Sequence, residues 1–544
     1  MAQGIMQSKE QLVDLLCELV GVKSITGSHE EIDMAQKVVE KLGQLDYFKH
    51  NQEMLQLHPT EDGRFFVTAL HRKENVKKTI ILISHFDVVD VEDYGPLKEY
   101  AFNPKTLTEL MKQRKEEYDP RVQTDLESDE WLFGRGTMDM KCGLTVHMSL
   151  MEQACSGKFD GNLLLLTVPD EEVNSVGMRT AVPALVKMAE AYDLEYELVL
   201  NSEPIFSLYP GDENHYIYTG SIGKLLPGFL CYGQETHVGE PLSGLNATLM
   251  SAMVATEMEL NTSFCEVAPS QDSPPPTAQL QKDLKTDYSV QIPHRSVSLY
   301  NLLLMERSVE KTVDMLLETA GMAARRIETF YTERAEQYAR LHGKETAGKK
   351  ISVSVYTFDQ LRNYAITTFG KEHVQALEGK VWMKKGELGD RELSIQLVDE
   401  YAILCNELGP MIVLFFAPPF YPAVETSHHP IVQRLTQEMT DYAGRAHGIS
   451  FTSLQYFNGI SDLSYVGLKE ELSGIAAYTE NVPVWDVTYS IPFEELKKLN
   501  VPVLNFGPVG RDAHQQTERL HIDYAFVKLK DMLEHLLYTV FKST

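Results

Sequence analysis

The stretch Ile80-Ile81-Leu82-Ile83-Ser84-His85-Phe86-Asp87 sets the fold class. Four β-favouring or branched apolar residues in a row are too few for a helix. With no polar alternation, they read as a strand buried on both faces, which is the signature of a parallel sheet. The run ends abruptly in Ser84, His85 and Asp87, polar groups placed where a strand stops. Three more runs have the same form, Leu163 to Val168, Glu197 to Leu200 and Val501 to Phe506, and helical stretches separate them. Alternating strands and helices predict an α/β fold whose mostly parallel sheet is flanked by helices. In such sheets the ligand crevice lies beyond the carboxyl ends of the strands, so residues far apart in sequence meet there.

Outward from these runs, the chain opens with two helices. Leu12, Leu15, Leu16 and Leu19 mark the first, and Ile32, Ala35, Val39 and Leu42 the second. Ser8 with Gln11 and Ser28 with Glu31 both match a capping box. Lys105 to Glu130 is densely charged and reads as a surface insertion, and Pro269 to Pro276 as an exposed loop. From Tyr218 the character changes. A strand-like run leads to Gly239-Glu240-Pro241, then to a helix bearing Leu245, Leu249, Ala252, Met253 and Leu260. Strand-like segments at Tyr288 to Ile292 and Val297 to Leu304 precede a long helix from Val309 to Leu341. We read residues 1–217 and 423–544 as two parts of one catalytic domain and residues 218–422 as an inserted α+β domain.

Length and composition bound the function. The 544 residues exceed one ordinary core, and 43% hydrophobic with 24% charged is a globular profile. A net charge of −28 argues against a nucleic-acid partner. The six cysteines (17, 142, 155, 231, 265 and 405) form no CxxC pair, which fits reduced thiols in the cytoplasm. No basic region with a following apolar run opens the chain, and no stretch approaches a membrane span, so neither a signal peptide nor a membrane partner is expected.

The chemistry sits at the strand ends. His85 offers an imidazole suited to zinc, and Asp87 a carboxylate to orient its other ring nitrogen. Gly134-Arg135-Gly136-Thr137-Met138-Asp139-Met140-Lys141 is a Gly-rich turn whose Asp139 can share its two oxygens between two cations or simply cap a turn. Asp170-Glu171-Glu172 crowds three carboxylates together, and that crowding calls for a cation or a proton. The same triplet also reads as an acidic helix start. Within it, Glu172 suits a metal ligand and Glu171 a base. Asn201-Ser202-Glu203-Pro204 and Gly507-Pro508-Val509-Gly510-Arg511-Asp512-Ala513-His514, the fourth and fifth motifs, add a further carboxylate and a second imidazole after strands. Each motif alone is weak. Together, two imidazoles and three carboxylates make a nitrogen–oxygen ligand set suited to zinc, with cobalt or manganese as alternatives.

In their order, HxD, GRGxxDMK, DEE, SEP and a late GPxGxxAH, these motifs resemble the co-catalytic zinc metallopeptidases, the family of aminoacylase, carboxypeptidase G, acetylornithine deacetylase and succinyl-diaminopimelate desuccinylase. The length and Ala417-Pro418-Pro419-Phe420-Tyr421-Pro422 resemble its RocB-type arginine-utilisation branch. The resemblance implies a zinc-peptidase-like sheet with an inserted ferredoxin-like lid and dimerisation domain. It implies two zinc ions, one on His85 and Glu203, one on Glu172 and His514, with Asp139 bridging. Asp87 would orient His85, and Glu171 would act as general base. In Thr236-His237-Val238-Gly239-Glu240-Pro241 the resemblance makes His237 an oxyanion-stabilising residue, often supplied across a homodimer through the inserted domain, with Asn246 assisting. Ser461 and Asp462 fall in a loop resembling a substrate loop.

Three features depart from the family pattern. Asp139 lies farther beyond His85 than usual, and Glu203 stands where many relatives have Asp. Many relatives carry a lid arginine that pairs with a substrate carboxylate, but no arginine occupies Asn301 to Leu304, and Ser464 stands where the late loop often ends in arginine; a shifted arginine such as Arg295 or Arg307 could substitute. The implied function is a two-zinc hydrolase acting on an amide of a peptide or N-acyl amino acid. The alternative is an inactive relative that binds a metabolite or partner.

Overall fold

The computed structural model describes residues 4–209, 211–269, 271–341, 343 and 349–542. Along the first part of the chain, helices α1 (Lys9–Gly21) and α2 (Glu30–Leu42) precede strands β1 (Leu55–Pro59), β2 (Phe65–His71) and β3 (Lys78–His85). Then come α3 (Pro104–Gln113), α4 (Pro120–Glu127), α5 (Lys141–Cys155), β4 (Asn162–Val168), α6 (Val176–Tyr192), β5 (Glu195–Asn201) and β6 (His215–Tyr218).

The inserted segment carries β7 (Gly223–Leu225), β8 (Pro227–Tyr232), α7 (Ala247–Met258), β9 (Thr277–Asp283), β10 (Arg295–Leu304), α8 (Val309–Leu341), β11 (Ser354–Thr357), α9 (Phe358–Phe369), α10 (Lys371–Trp382), α11 (Asp390–Leu404) and β12 (Met411–Phe416). The chain returns through α12 (Pro430–His447), β13 (Phe451–Leu454), β14 (Val503–Asn505), β15 (Gly510–Arg511), β16 (Arg519–His521) and α13 (Lys530–Lys542).

The main sheet runs β1-β2-β4-β3-β5-β14-β6-β13. Its centre, β4-β3-β5-β14, is parallel and is built from the four apolar runs seen in the sequence. The β1–β2, β2–β4 and β14–β6 pairings are antiparallel. The continuous apolar character of β3 has a direct cause: Ile80 and Leu82 pack into one core layer with α1, α2, α5 and α13, while Ile81 and Ile83 pack into the opposite layer with α6.

In the insertion, β8-α7-β9-β10-α8-β12 follows a βαββαβ order, with sheet order β9-β10-β8-β12-β11. This is the ferredoxin-like arrangement. Phe229, Tyr300 and Leu414 face α7 and α8. Leu230, Val297 and Val413 face the opposite way, where α9 and α11 cover them. The insertion thus carries a second helical layer over the sheet's other face. The two connections to the main domain run side by side, Gly220–Ser221 pairing with Val424–Glu425.

Three sequence expectations are corrected. Ser8 and Gln11 do form a capping box, but Ser28 and Glu31 do not. The Glu31 carboxylate reaches back to the Gly27 N–H (2.6 Å) and not to Ser28, and it also binds Arg64 and accepts the Asp170 N–H. Lys105 to Glu130 is not a loose insertion, because α3 and α4 bury Leu107, Met111, Val122 and Leu126 in the core. Residues 288–292 form no strand, since lid backbone there makes a single bridge, Gln291 to His237.

Candidate metal centre

Because β3, β4, β5 and β14 are parallel, their carboxyl ends lie at one edge of the sheet, and the reactive side chains cluster there. His85 is the last residue of β3, Glu171 and Glu172 lie in the turn after β4, and Glu203 follows β5. Asp139 sits two residues before α5, and His514 lies in the turn after β15. Gly507, just past β14, meets Glu203 so closely that a Cβ would lie 1.9 Å from the Glu203 carbonyl oxygen, so only glycine fits there.

The Asp170–Ser175 turn is held from three sides. The Asp87 carboxylate accepts the backbone N–H groups of Glu171 (3.1 Å) and Glu172 (3.2 Å) and the Thr26 hydroxyl (2.8 Å). Glu31 accepts the Asp170 N–H at 3.0 Å, and Arg64 bonds both Glu31 (2.7 Å) and Asp170 (3.0 Å). Asp170 itself adopts a left-handed φ of 70° and caps the following helix through Val176 N–H. Asp87 also faces the His85 ring: Nδ1 lies 3.1 Å from the Asp87 carbonyl and 3.4 Å from its carboxylate. A proton on Nδ1 leaves the lone pair of Nε2 free, pointed at the cluster.

Nε2 of His85 lies 3.5 Å from Asp139 Oδ1 and 3.5 Å from Glu203 Oε1. The other Asp139 oxygen, Oδ2, lies 3.2 Å from His514 Nε2, which is 3.0 Å from Glu172 Oε1. His85, Asp139 and Glu203 thus form one group able to hold a cation, and Asp139, Glu172 and His514 another. Asp139 belongs to both and uses a different oxygen in each.

The electrostatics are those of a site with too many anions. Burial raises the pKa of Glu203 and Glu171 well above the usual carboxylate range, and raises Glu172 as well. Burial pushes Asp462 up to about 7. Burial opposes charge on His514, but Asp139 and Glu172 outweigh it and lift the imidazole to about 11. On Asp139 the hydrogen bonds from His514 and His85 outweigh burial and lower it. Glu171 Oε1 and both oxygens of Asp462 are buried without a hydrogen-bond partner. A donor set of buried carboxylates and imidazoles, with unpartnered oxygens among them, fits divalent cations.

The other sequence-named residues fall differently. Asp462 is buried at the edge of the cluster, whereas Ser461 turns its hydroxyl to Ser221 Oγ (3.0 Å). Asn246 is the N-cap of α7 and accepts Thr248 N–H at 2.8 Å, so its side-chain oxygen is occupied by its own helix. His237 is exposed, and its Nδ1 accepts Gly239 N–H at 3.0 Å, so it makes no contact with the cluster among the described residues. Arg295 is bonded to Asp399 (2.5 Å) and Arg307 to the carbonyls of Phe264 and Cys265, so neither replaces the absent lid arginine.

Sequence reasoning missed Glu31, Arg64 and Tyr421, whose hydroxyl reaches the Glu171 carbonyl at 3.1 Å. It also missed Lys141, buried with its ammonium on the carbonyls of Leu19 (3.1 Å) and Val22 (2.8 Å) at the end of α1. Lys141 stands in the quoted GRGxxDMK motif and Tyr421 in the Ala417 to Pro422 stretch, so a signal was present for both. Glu31 was visible only as a helix-capping residue, and Arg64 carries no signal in the sequence.

Known proteins resemble this chain in sequence and in fold. The model of peptidase family M20/M25/M40 matches residues 81–539. "Uncharacterized protein YqjN" of Bacillus subtilis (strain 168) is 45% identical over 538 residues, covering 99% of this chain and 98% of that protein. "Protein RocB" of the same organism is 29% identical over 551 residues, covering 98% and 96%. Among solved structures, the M20 family metallo-carboxypeptidase Sso-CP2 from Sulfolobus solfataricus superimposes with a TM-score of 0.54 at 15% identity, covering 97% of this chain and 98% of that one. That likeness speaks for the fold alone.

Proposed function

The chain belongs to peptidase family M20/M25/M40 and is a metal-dependent hydrolase; from that premise we propose that it uses two zinc ions to cleave an amide bond in a peptide or N-acyl amino acid. The observation that carries the reading is the division of Asp139 between two ligand groups, Oδ1 toward His85 and Glu203, Oδ2 toward His514 and Glu172. His85 and Glu203 would hold one ion, Glu172 and His514 the other, with Asp139 between them. Bound there, the ions would polarise the amide carbonyl and bring the pKa of a water toward neutrality.

The chain's own groups do the rest. Glu171, with Oε1 buried and free of partners, takes the proton of the attacking water and returns it to the leaving nitrogen. Its high proton affinity, set by burial, suits a group that must hold that proton between the two steps. Asp87 fixes the His85 ring and, through two backbone N–H groups, the placement of Glu171. His237 stabilises the oxyanion from the partner subunit of a homodimer formed through the lid. Two observations support that arrangement: among the described residues His237 makes no contact with the cluster of its own chain, and no strand pairs with the outer edge of β9 in the lid sheet. The likeness to RocB makes N-acyl arginine a natural member of a substrate panel. The fold holds no helix long and apolar enough to cross a membrane among the described residues, and we place the enzyme in the cytoplasm.

Metal analysis of the purified protein should return about two zinc ions per chain. Glu171→Gln should keep both and lose turnover by several orders of magnitude. A metal content near zero, or normal turnover in the metal-replete variant, sinks the proposal.

A further inference from the structure

Nearly every cation around the cluster is spoken for. Arg64 binds Glu31 and Asp170, Arg135 binds Glu518 and Asp93, and Arg519 binds Asp125 and Asp512. Lys141 and Arg179 donate to backbone carbonyls. Two lid residues break the pattern. The side chains of Lys224 and Arg391 have no hydrogen-bond or ion-pair partner among the described residues.

Both are tied to the turn that carries Glu171. Lys224, on β7, is paired antiparallel with Tyr421, its N–H to the Tyr421 carbonyl at 2.9 Å and its carbonyl from the Tyr421 N–H at 3.0 Å. Residues paired in this way send their side chains to the same face. The Tyr421 side chain runs to the Glu171 carbonyl and the Ser175 hydroxyl, 3.1 Å from each. Arg391 is the second residue of α11, whose first residue, Asp390, accepts Asn174 Nδ2 at 3.1 Å. Asn174 lies three residues after Glu171. Two unpaired cations therefore stand on the lid side of the same short turn. Arg391 is, in addition, at the N-terminus of a 15-residue helix, the end at which a positive charge is disfavoured. Burial and the Arg391 guanidinium lower the pKa of the Lys224 ammonium, while Glu171 raises it. An anion placed between the two side chains would relieve their mutual repulsion and the helix-end penalty together.

We infer that Lys224 and Arg391 form a carboxylate-binding subsite beside Glu171, so that the enzyme selects substrates bearing a free carboxylate, such as N-acyl amino acids, over their neutral counterparts. The subsite rests on the hydrolase reading only in that the carboxylate belongs to the molecule whose amide is cut.

The test is a binding measurement that does not need turnover. In metal-replete Glu171→Gln protein, N-acetyl amino acids, including N-acetyl-arginine, are titrated by calorimetry, each against its own carboxamide. At least one acid should bind about tenfold more tightly than its amide, the scale of a charge-assisted contact. Adding Lys224→Met or Arg391→Met should remove that difference and leave the amide's affinity unchanged. Arg391 is exposed, so its variant keeps the question decidable even where Lys224→Met fails to fold. The absence of any acid preference, or a preference that survives Arg391→Met, overturns the subsite. Turnover of the unsubstituted enzyme on the same panel is read separately. Acid preference without turnover removes the hydrolase reading and keeps the subsite, and turnover without preference does the reverse.

Discussion

Asp87 serves two neighbours at once, orienting the ring of His85 and pinning the amides of Glu171 and Glu172. A histidine followed two positions later by aspartate shows the first role in the sequence, because strand geometry puts both side chains on one face. The second depends on a turn more than 80 positions away in the chain and carries no local signal. His147 shows the same limit. It reads as one more polar residue in a helix, yet it is fully buried in α5, with Nε2 2.9 Å from Ser202 Oγ, beside Glu203. Burial depresses its pKa from 6.5 to about 3. The neutral ring is therefore the folded form. Its contribution to stability is intact above pH 6.5 and is lost as pH falls toward 3, because the unfolded chain binds the proton first. His71, pushed by burial to about 4, acts in the same direction. The share of His147 is isolated by urea unfolding of the unsubstituted protein and His147→Gln side by side between pH 7 and pH 5. The substitution should shift the slope of stability against pH by about 1 kcal/mol per pH unit, in the direction of less loss with acid, the share of one proton. An unchanged slope would mean that His147 is protonated in the native state.

The elements that build the parallel centre were legible because each is apolar on both faces, a pattern that Ile80 to Ile83 states within four residues. The helical layer α9–α11 was not. Its helices are apolar only on the side that meets Leu230, Val297 and Val413, and nothing in the chain announces which sheet face they cover. The turn bearing His514 lies between these cases. Its Gly-Pro-Val-Gly start was visible, but Asp512 and His514 both take left-handed φ, 58° and 61°, without being glycine. That geometry has to be held from outside. Arg519 holds it: the guanidinium binds Asp512 in the turn and Asp125 on α4 (2.6 Å), and the Thr517 hydroxyl also reaches Asp512 at 2.8 Å. The charged stretch taken from the sequence as a surface insertion is thus what anchors the His514 turn. Arg519→Met should cost about 1.5–3 kcal/mol of stability, the scale of a hydrogen bond to a charged group, because Arg511 still holds both Asp125 oxygens at 2.7 and 2.6 Å. It should also weaken one zinc equivalent by about 10- to 100-fold while the equivalent on His85 and Glu203 stays tight. Two equivalents of unchanged affinity in a chelator competition would show that the turn keeps its shape without Arg519.

At the scale of the molecule, the second helical layer restricts how copies can meet. With α9 and α11 over one face of the lid sheet, and α7 and α8 over the other, the backbone free for pairing within that sheet lies at its margins, where β9 alternates exposed and half-buried residues. A dimer joined at that edge, or along the outer sides of α7 and α8, would leave His237 free to serve the cluster of the opposite chain. That geometry has a consequence which a single chain cannot imitate. Glu171→Gln and His237→Ala proteins should each be inactive alone. In a mixed dimer, one site combines Glu171 from the His237→Ala chain with His237 from the Glu171→Gln chain. Random pairing of equal amounts should restore about a quarter of the sites. Rescue at that level, rising with co-expression and absent when the two proteins are kept as separate dimers, would place the oxyanion donor on the partner. Mixed dimers without activity would put the donor within the same chain. Full activity in His237→Ala alone would take His237 out of the reaction and leave oxyanion stabilisation to the groups around Asp139.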